Sequence, residues 1–281
     1  MACPHQLGQF PFPVMYGYGF VGEIVDGARE RRGRAAFCLH PHATYAVVPE
    51  TDVHLVPYGL PARRAILTAN METALNVVWD ARISGGDRVV VMGAGVVGLL
   101  VGYLAAQFPG ATVLVCDPDP SRRALAETLG CEVVAPDAAA EWVDANDGLP
   151  FDVAINASAS GEALTAAIDL LGVEGRVVEA SWFGARSVDL RLGGAFHSQR
   201  LQIVSSQVGR IPADRQARWT YARRIAVALR LLDDDRLDTL ITHEVAFDEA
   251  PDVLPPLFDD PEALGIALKY PTAERRAPSA R

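Results

Sequence analysis

Arg88-Val-Val-Val-Met-Gly-Ala-Gly-Val-Val-Gly-Leu-Leu-Val-Gly-Tyr-Leu-Ala-Ala-Gln107 is the stretch that decides the fold. The β-branched run Val89 to Met92 reads as a strand, and the small and aliphatic residues after Gly98 read as a helix. Gly93, Gly95 and Gly98 lie between them in the spacing G-x-G-x-x-G. Gly93 allows a tight turn out of the strand. Gly95 lets the backbone approach a pyrophosphate, and Gly98 lets the helix pack near the strand. The helix start, with Val96 and Val97, offers unpaired N–H groups to that anion.

Outward from this turn, Thr112 to Cys116 reads as a second strand ending on Asp117, 19 residues after Gly98. That is the offset at which an acid meets the adenosine ribose hydroxyls, and it favours NAD over NADP. Arg122 opens the next helix and is a further candidate for cofactor contact. Strands at Glu132–Val134, Phe151–Ala157, Gly175–Ala180 and Leu201–Ser205 alternate with helices at Ser121–Leu129, Gly161–Leu171 and Ala213–Leu232. The alternation implies a doubly wound α/β fold, a parallel sheet covered on both faces. Ligands of such sheets sit at the carboxyl ends of the strands, which makes Ser158 a cofactor candidate.

The flanks differ in texture. Val14 to Val25, Ala35 to Leu39, Ala43 to Val48 and Val53 to Val56 read as short strands of a β-rich unit, with Arg29 to Arg32 a solvated charged loop between them. Pro61 to Ala81 has helical spacing, with Leu67, Met71, Leu75 and Val78 on one face. Leu237 to Phe247 reads as strand-rich, Glu249 to Phe258 as a proline-broken helix, and Leu264 to Tyr270 as a last strand. Thr272 to Arg281 carries no pattern and is expected to be disordered.

Composition excludes several function classes. The chain has 281 residues, half of them hydrophobic, and a formal net charge of −10. That charge argues against nucleic acid or an anionic membrane as partner. No apolar run reaches membrane-spanning length, and no cationic-then-apolar leader opens the chain. The four cysteines, Cys3, Cys38, Cys116 and Cys131, are too scattered for a disulfide framework, which places the protein in a reducing cytoplasm.

The order of parts resembles the medium-chain dehydrogenase/reductase superfamily, to which zinc-type alcohol and sorbitol dehydrogenases belong. Pro13 to Val25 resembles the segment that usually holds Gly-His-Glu, and Tyr45 to Glu50 the strand entering the cofactor domain. Thr73-Ala74, Val89 to Gly98, Asp117, Asp152 to Asn156, Gly175 to Val178 and Lys269 match further parts. The resemblance implies a Rossmann domain at 67–236 and a split GroES-like domain at 1–66 and 237–281. It implies NAD as cofactor, a small alcohol or carbonyl as substrate, and a homodimer joined through the Leu201 to Val208 strand. Three departures stand out. Gly17-Tyr18-Gly19 replaces Gly-His-Glu, so the catalytic zinc ligands are missing. The four-cysteine loop of a structural zinc is missing as well. The chain also begins late against the family pattern, leaving the GroES-like domain incomplete.

Hydride transfer needs a group that donates or takes a proton at the substrate oxygen. Tyr18 stands where the zinc histidine would be and is the first candidate. Glu72 as proton relay and Thr73 against the nicotinamide ring are the others. Strand alternation would put Cys38, His40 and His42 on one face, with Cys3 or His5 as further donors, but Pro41 interrupts the strand and no metal is assigned. Two alternatives stay open: a cofactor-binding remnant without turnover, and a zinc-free quinone or enoyl reductase.

Overall fold

The computed structural model describes residues 5–10 and 12–271. Cys3 and the segment from Thr272 onward lie outside the described residues. The chain divides into two compact units, one of residues 1–66 with 238–281, the other of residues 67–237. The return boundary falls one residue later than the sequence reading places it.

The first unit begins with short paired strands β1 (Leu7–Gly8) and β2 (Val14–Met15). It continues as an antiparallel sheet of β3 (Gly19–Glu23), β4 (Ala35–Leu39) and β5 (His54–Leu55), followed by α1 (Ala62–Ala65). Ala43 to Val48 forms no strand, contrary to its β-branched composition. No neighbouring strand among the described residues pairs with it, and its larger side chains Tyr45 and Val47 are 61% and 99% exposed. The charged loop is more than solvated surface: Arg31 donates to Glu50 Oε1 at 2.8 Å and to the Val53 carbonyl at 2.6 Å.

The second unit carries α2 (Thr68–Ala81), β6 (Arg88–Met92), α3 (Val96–Ala105), β7 (Thr112–Cys116), α4 (Pro120–Thr128), β8 (Glu132–Val134) and α5 (Ala139–Ala145). It continues with β9 (Phe151–Asn156), α6 (Gly161–Asp169), β10 (Leu171–Glu179), α7 (Ala195–Ser198), β11 (Gln202–Ser205) and α8 (Tyr221–Leu231). Six strands form one parallel sheet in the order β11-β10-β9-β6-β7-β8. Val89, Val90 and Val91 are fully buried, as a central parallel strand covered on both faces requires. The strand order reverses between β6 and β9, the topological switch beside which ligands bind in such sheets.

Two boundaries depart from the sequence reading. β10 begins at Leu171, with an irregularity before Arg176, because Leu171 already pairs with Phe151 of β9. The long helix expected from Ala213 starts only at Tyr221. Thr220 is extended (φ −114°, ψ 162°) and its side chain accepts the Arg223 N–H, so it caps a new helix instead of continuing an older one.

After a 3-10 stretch at Asp235–Leu240, where a strand was expected, the chain returns to the first unit. There it forms β12 (Ile241–Ala246), α9 (Ala250–Phe258) and β13 (Gly265–Lys269), with β12 and β13 parallel. Arg63 and Arg64 of α1 hold this returning segment, Arg63 through Glu244 at 2.6 Å and Arg64 through Asp238. No helix among the described residues is long and apolar enough to cross a membrane.

Candidate functional site

The glycine turn has the geometry its spacing demands. Gly93 has φ +103°, and its N–H donates to the Cys116 carbonyl at 2.8 Å. A Cβ there would lie 3.0 Å from the Ser158 backbone. A Cβ on Gly98 would collide with the Gly93 carbonyl oxygen, so only glycine lets α3 start this close to β6. At Gly95 an added Cβ would meet nothing within 4 Å. Gly95, Val96 and Val97 are half-buried, and the Leu99 N–H is the first to bond within the helix, to Gly95 O at 2.9 Å. The open space at Gly95 and the free N–H groups at the start of a ten-residue helix form a cradle for a pyrophosphate.

Asp117 lies beside this cradle, 5% exposed. Its Oδ2 accepts the Ala94 N–H at 2.7 Å and its Oδ1 the Asp119 N–H at 2.9 Å. The carboxylate is thereby fixed to the turn itself, and each oxygen keeps a lone pair for a further donor. Arg122 sits 3.9 Å from Asp119, and Arg123 donates to the Asp117 carbonyl at 2.6 Å.

At the carboxyl ends of β9 and β10 a polar cluster was only half legible. Ser158 was singled out; its hydroxyl donates to Asn156 Oδ1 at 2.7 Å. The fully buried Asn156 donates through Nδ2 to Glu179 Oε2 at 2.7 Å, and Ser181 N–H donates to Glu179 Oε1 at 2.7 Å. Glu179 was missed. The signal was the register: Glu179 is the strand partner of Asn156, so the ends of two adjacent strands bring both side chains together.

Glu72 is not the exposed group a helical glutamate usually is. It is 3% exposed and accepts from Arg224 Nε at 2.9 Å, while Arg224 also donates to Asn76 Oδ1 and the Val208 carbonyl. Burial pushes the Glu72 carboxyl up, against the pull of Arg224. Thr73 donates its hydroxyl to Ala69 O at 2.9 Å. Both lie on α2, but Glu72 is held by a partner 152 residues away that the sequence reading did not connect to it.

In the first unit, Tyr18 is 41% exposed and its ring meets that of Tyr16 edge-on at 5.3 Å. Cys38 is buried in β4, with its thiol pushed up to about 11 mainly by that burial. His40 Nδ1 bonds the Pro41 carbonyl at 2.8 Å, and burial pushes the His42 pKa down. Among the described residues no three His, Cys, Asp or Glu side chains gather in a metal-holding group.

Residues 96–225 match the family model described as zinc-binding dehydrogenase. Among curated proteins, the L-threonine 3-dehydrogenase of Pyrococcus abyssi is 36% identical over a stretch covering 48% of this chain and 40% of its own length. The sorbitol dehydrogenase of Halalkalibacterium halodurans is 25% identical, covering 86% of this chain and 80% of its own. Among solved structures, 2R,3R-butanediol dehydrogenase from Bacillus subtilis superposes with a TM-score of 0.74 at 20% identity, over 94% of this chain and 82% of that one. The short chain alcohol dehydrogenase from E. coli CFT073, complexed with NADH, superposes at 0.72 with 19% identity, over 89% and 82%. The structural likenesses establish the fold, and the chain spans 40% of the length of the threonine dehydrogenase it matches.

Proposed function

We propose that the chain is a member of the medium-chain dehydrogenase/reductase superfamily and an NAD-dependent oxidoreductase acting on an alcohol or its carbonyl without a catalytic zinc. One observation carries the reading. The carboxylate of Asp117 is tied through Oδ2 to the Ala94 N–H of the glycine turn and through Oδ1 to the Asp119 N–H, beside a helix start with open space at Gly95. That arrangement fits a dinucleotide: Gly95, Val96 and Val97 face the pyrophosphate, and Asp117 accepts the two ribose hydroxyls. A bound nicotinamide supplies the hydride donor or acceptor.

The chain's own residues do the rest. Ser158, fixed by Asn156 and Glu179, closes the switch-point end of the sheet against Gly93. Arg224 and Glu72 tie α2, and with it Thr73, to the loop that leaves β11. Tyr18 donates or accepts the proton at the substrate oxygen through its phenol. The zinc-free reading is supported by the donor chemistry. Gly17-Tyr18-Gly19 offers neither imidazole nor carboxylate, and Cys38 and His40 are engaged in the core of the first unit. No step is therefore routed through a metal. Two copies pairing through β11, a four-residue strand at the sheet edge, complete the proposal.

Calorimetric titration of NADH, followed by a screen of alcohols with NAD at 340 nm, tests the reading. Micromolar NADH binding with turnover of at least one alcohol is the expected result. Binding without turnover of any alcohol or carbonyl would point to a cofactor-binding protein instead.

A further inference from the structure

The first unit contains an open concavity of about 860 Å³, within the range of small-molecule sites. Its walls include Phe10, Phe12, Met15, Tyr16, Phe247 and one imidazole, His42. Among the described residues, no aspartate, glutamate, lysine or arginine lines it. The rings form a continuous ladder. Phe12 meets Phe10 at 5.8 Å, Phe10 meets Tyr16 at 5.3 Å, and Tyr16 meets Tyr18 at 5.3 Å. They stay open to water within the unit: Phe10 is 59% exposed and Phe12 79%. Contiguous exposed aromatic surface in a concavity marks a place where a ligand is bound.

We propose that this concavity takes the ring or chain of an uncharged, apolar or aromatic alcohol or carbonyl, the substrate class of the oxidoreductase reading above, on which the proposal rests. The lining decides the class. A phosphate, carboxylate or ammonium entering it would lose hydration with no opposite charge to meet. A polyol would bury several hydroxyls against phenyl rings. His42 offers little compensation, because its backbone N–H is already donated to the Tyr16 carbonyl at 3.0 Å and desolvation lowers its pKa, which disfavours the charged ring. A flat, neutral ring instead finds edge and face contacts along the whole ladder. The ladder also continues from Tyr16, in the wall of the concavity, to the ring of Tyr18, whose phenol is the one assigned to proton transfer. This sets the chain apart from relatives whose names specify threonine and sorbitol.

The test titrates the full chain, without cofactor, with benzaldehyde, benzyl alcohol, sorbitol and L-threonine by ligand-observed NMR, and with NADH by calorimetry. Benzaldehyde and benzyl alcohol should bind at least about tenfold more tightly than sorbitol or threonine. Phe10→Glu should weaken them about tenfold or more and leave NADH affinity unchanged, while Phe10→Leu should retain them. Phe12→Glu, at a side chain even more exposed, repeats the measurement if Phe10→Glu disturbs folding by circular dichroism. Sorbitol or threonine binding as tightly as benzaldehyde would overturn the proposal. So would aromatic binding that ignores the glutamate, or a wild-type dimer that Phe10→Glu converts to monomer without any aromatic ligand having bound. Benzaldehyde binding without NADH binding upholds the ligand class of the concavity and defeats the oxidoreductase reading; NADH binding without benzaldehyde binding does the reverse.

Discussion

The guanidinium of Arg64 holds both carboxylate oxygens of Asp238, at 2.9 and 2.7 Å, across 174 residues of sequence. The Arg64 side chain is 8% exposed, so the pair is a clasp set into the first unit. It joins the segment before the nucleotide-binding unit to the segment after it.

Asp238→Asn should lower the thermal midpoint of the first unit, by about 1–3 kcal/mol in stability, because a nearly buried guanidinium loses its charged acceptor. The pH dependence follows. Hydrogen bonding by Arg64 holds the Asp238 carboxyl below its ordinary value, outweighing the opposing effect of burial. A carboxyl lower in the folded than in the unfolded state stabilises fully above the unfolded pKa, about 3.9, and loses that contribution as pH falls through the folded value. Asp234 in the second unit, pushed down to about 2 chiefly by its hydrogen bonds from Arg236, acts with the same sign. Melting scans from pH 6 to pH 2 should show a decline below about pH 4 that is shallower in Asp238→Asn. An identical decline in both proteins would remove Asp238 from the account.

Arg224 and Glu72 are 1% and 3% exposed, a buried ion pair between α8 and α2. Removing one partner leaves the other charged in the core. Glu72→Leu or Arg224→Met should each cost about 3–5 kcal/mol, while the double variant should recover part of that loss. Urea denaturation of the three proteins measures it. Equal losses that simply add would show that the pair does not act as one.

Asp117 should select the cofactor. A 2′-phosphate brings about two negative charges against the fixed carboxylate. At about 4 Å and an intermediate dielectric each such pair costs roughly 4 kcal/mol before relaxation. NADH should bind clearly tighter than NADPH, and Asp117→Gly should narrow or reverse the gap. Calorimetry of both cofactors with both proteins decides; comparable NADPH binding by the unaltered chain would refute the role of Asp117.

Tyr18→Phe keeps the ring contact with Tyr16 and removes the hydroxyl. Turnover should fall about 10²-fold or more with NADH affinity unchanged. Unaltered turnover would reduce Tyr18 to a packing residue.

What the sequence made legible was local. Gly93, Gly95, Gly98 and Asp117 could be placed because turn, helix start and strand end are set by neighbours a few residues apart. The apolar runs of β6, β7 and β9 were legible for the same reason. What escaped was long-range. Nothing near Glu72 announces Arg224, and nothing near Arg64 announces Asp238. Ala43 to Val48 has strand composition, yet composition cannot supply a neighbouring strand to pair with. Thr220 misled in the other direction: a hydroxyl inside an apparently continuous helical pattern was its cap.

The nucleotide-binding unit is one unbroken segment, while the first unit is assembled from residues on both sides of it. During synthesis the two therefore complete at different times. Strands β3 to β5 leave the ribosome early, but Arg63 and Arg64 must wait for Asp238 and Glu244. At about 5–20 residues per second the delay is roughly 10–30 s. For that interval the amino-terminal strands lack the segment that clasps them, and it is then that the nascent chain is most exposed to chaperones and proteases.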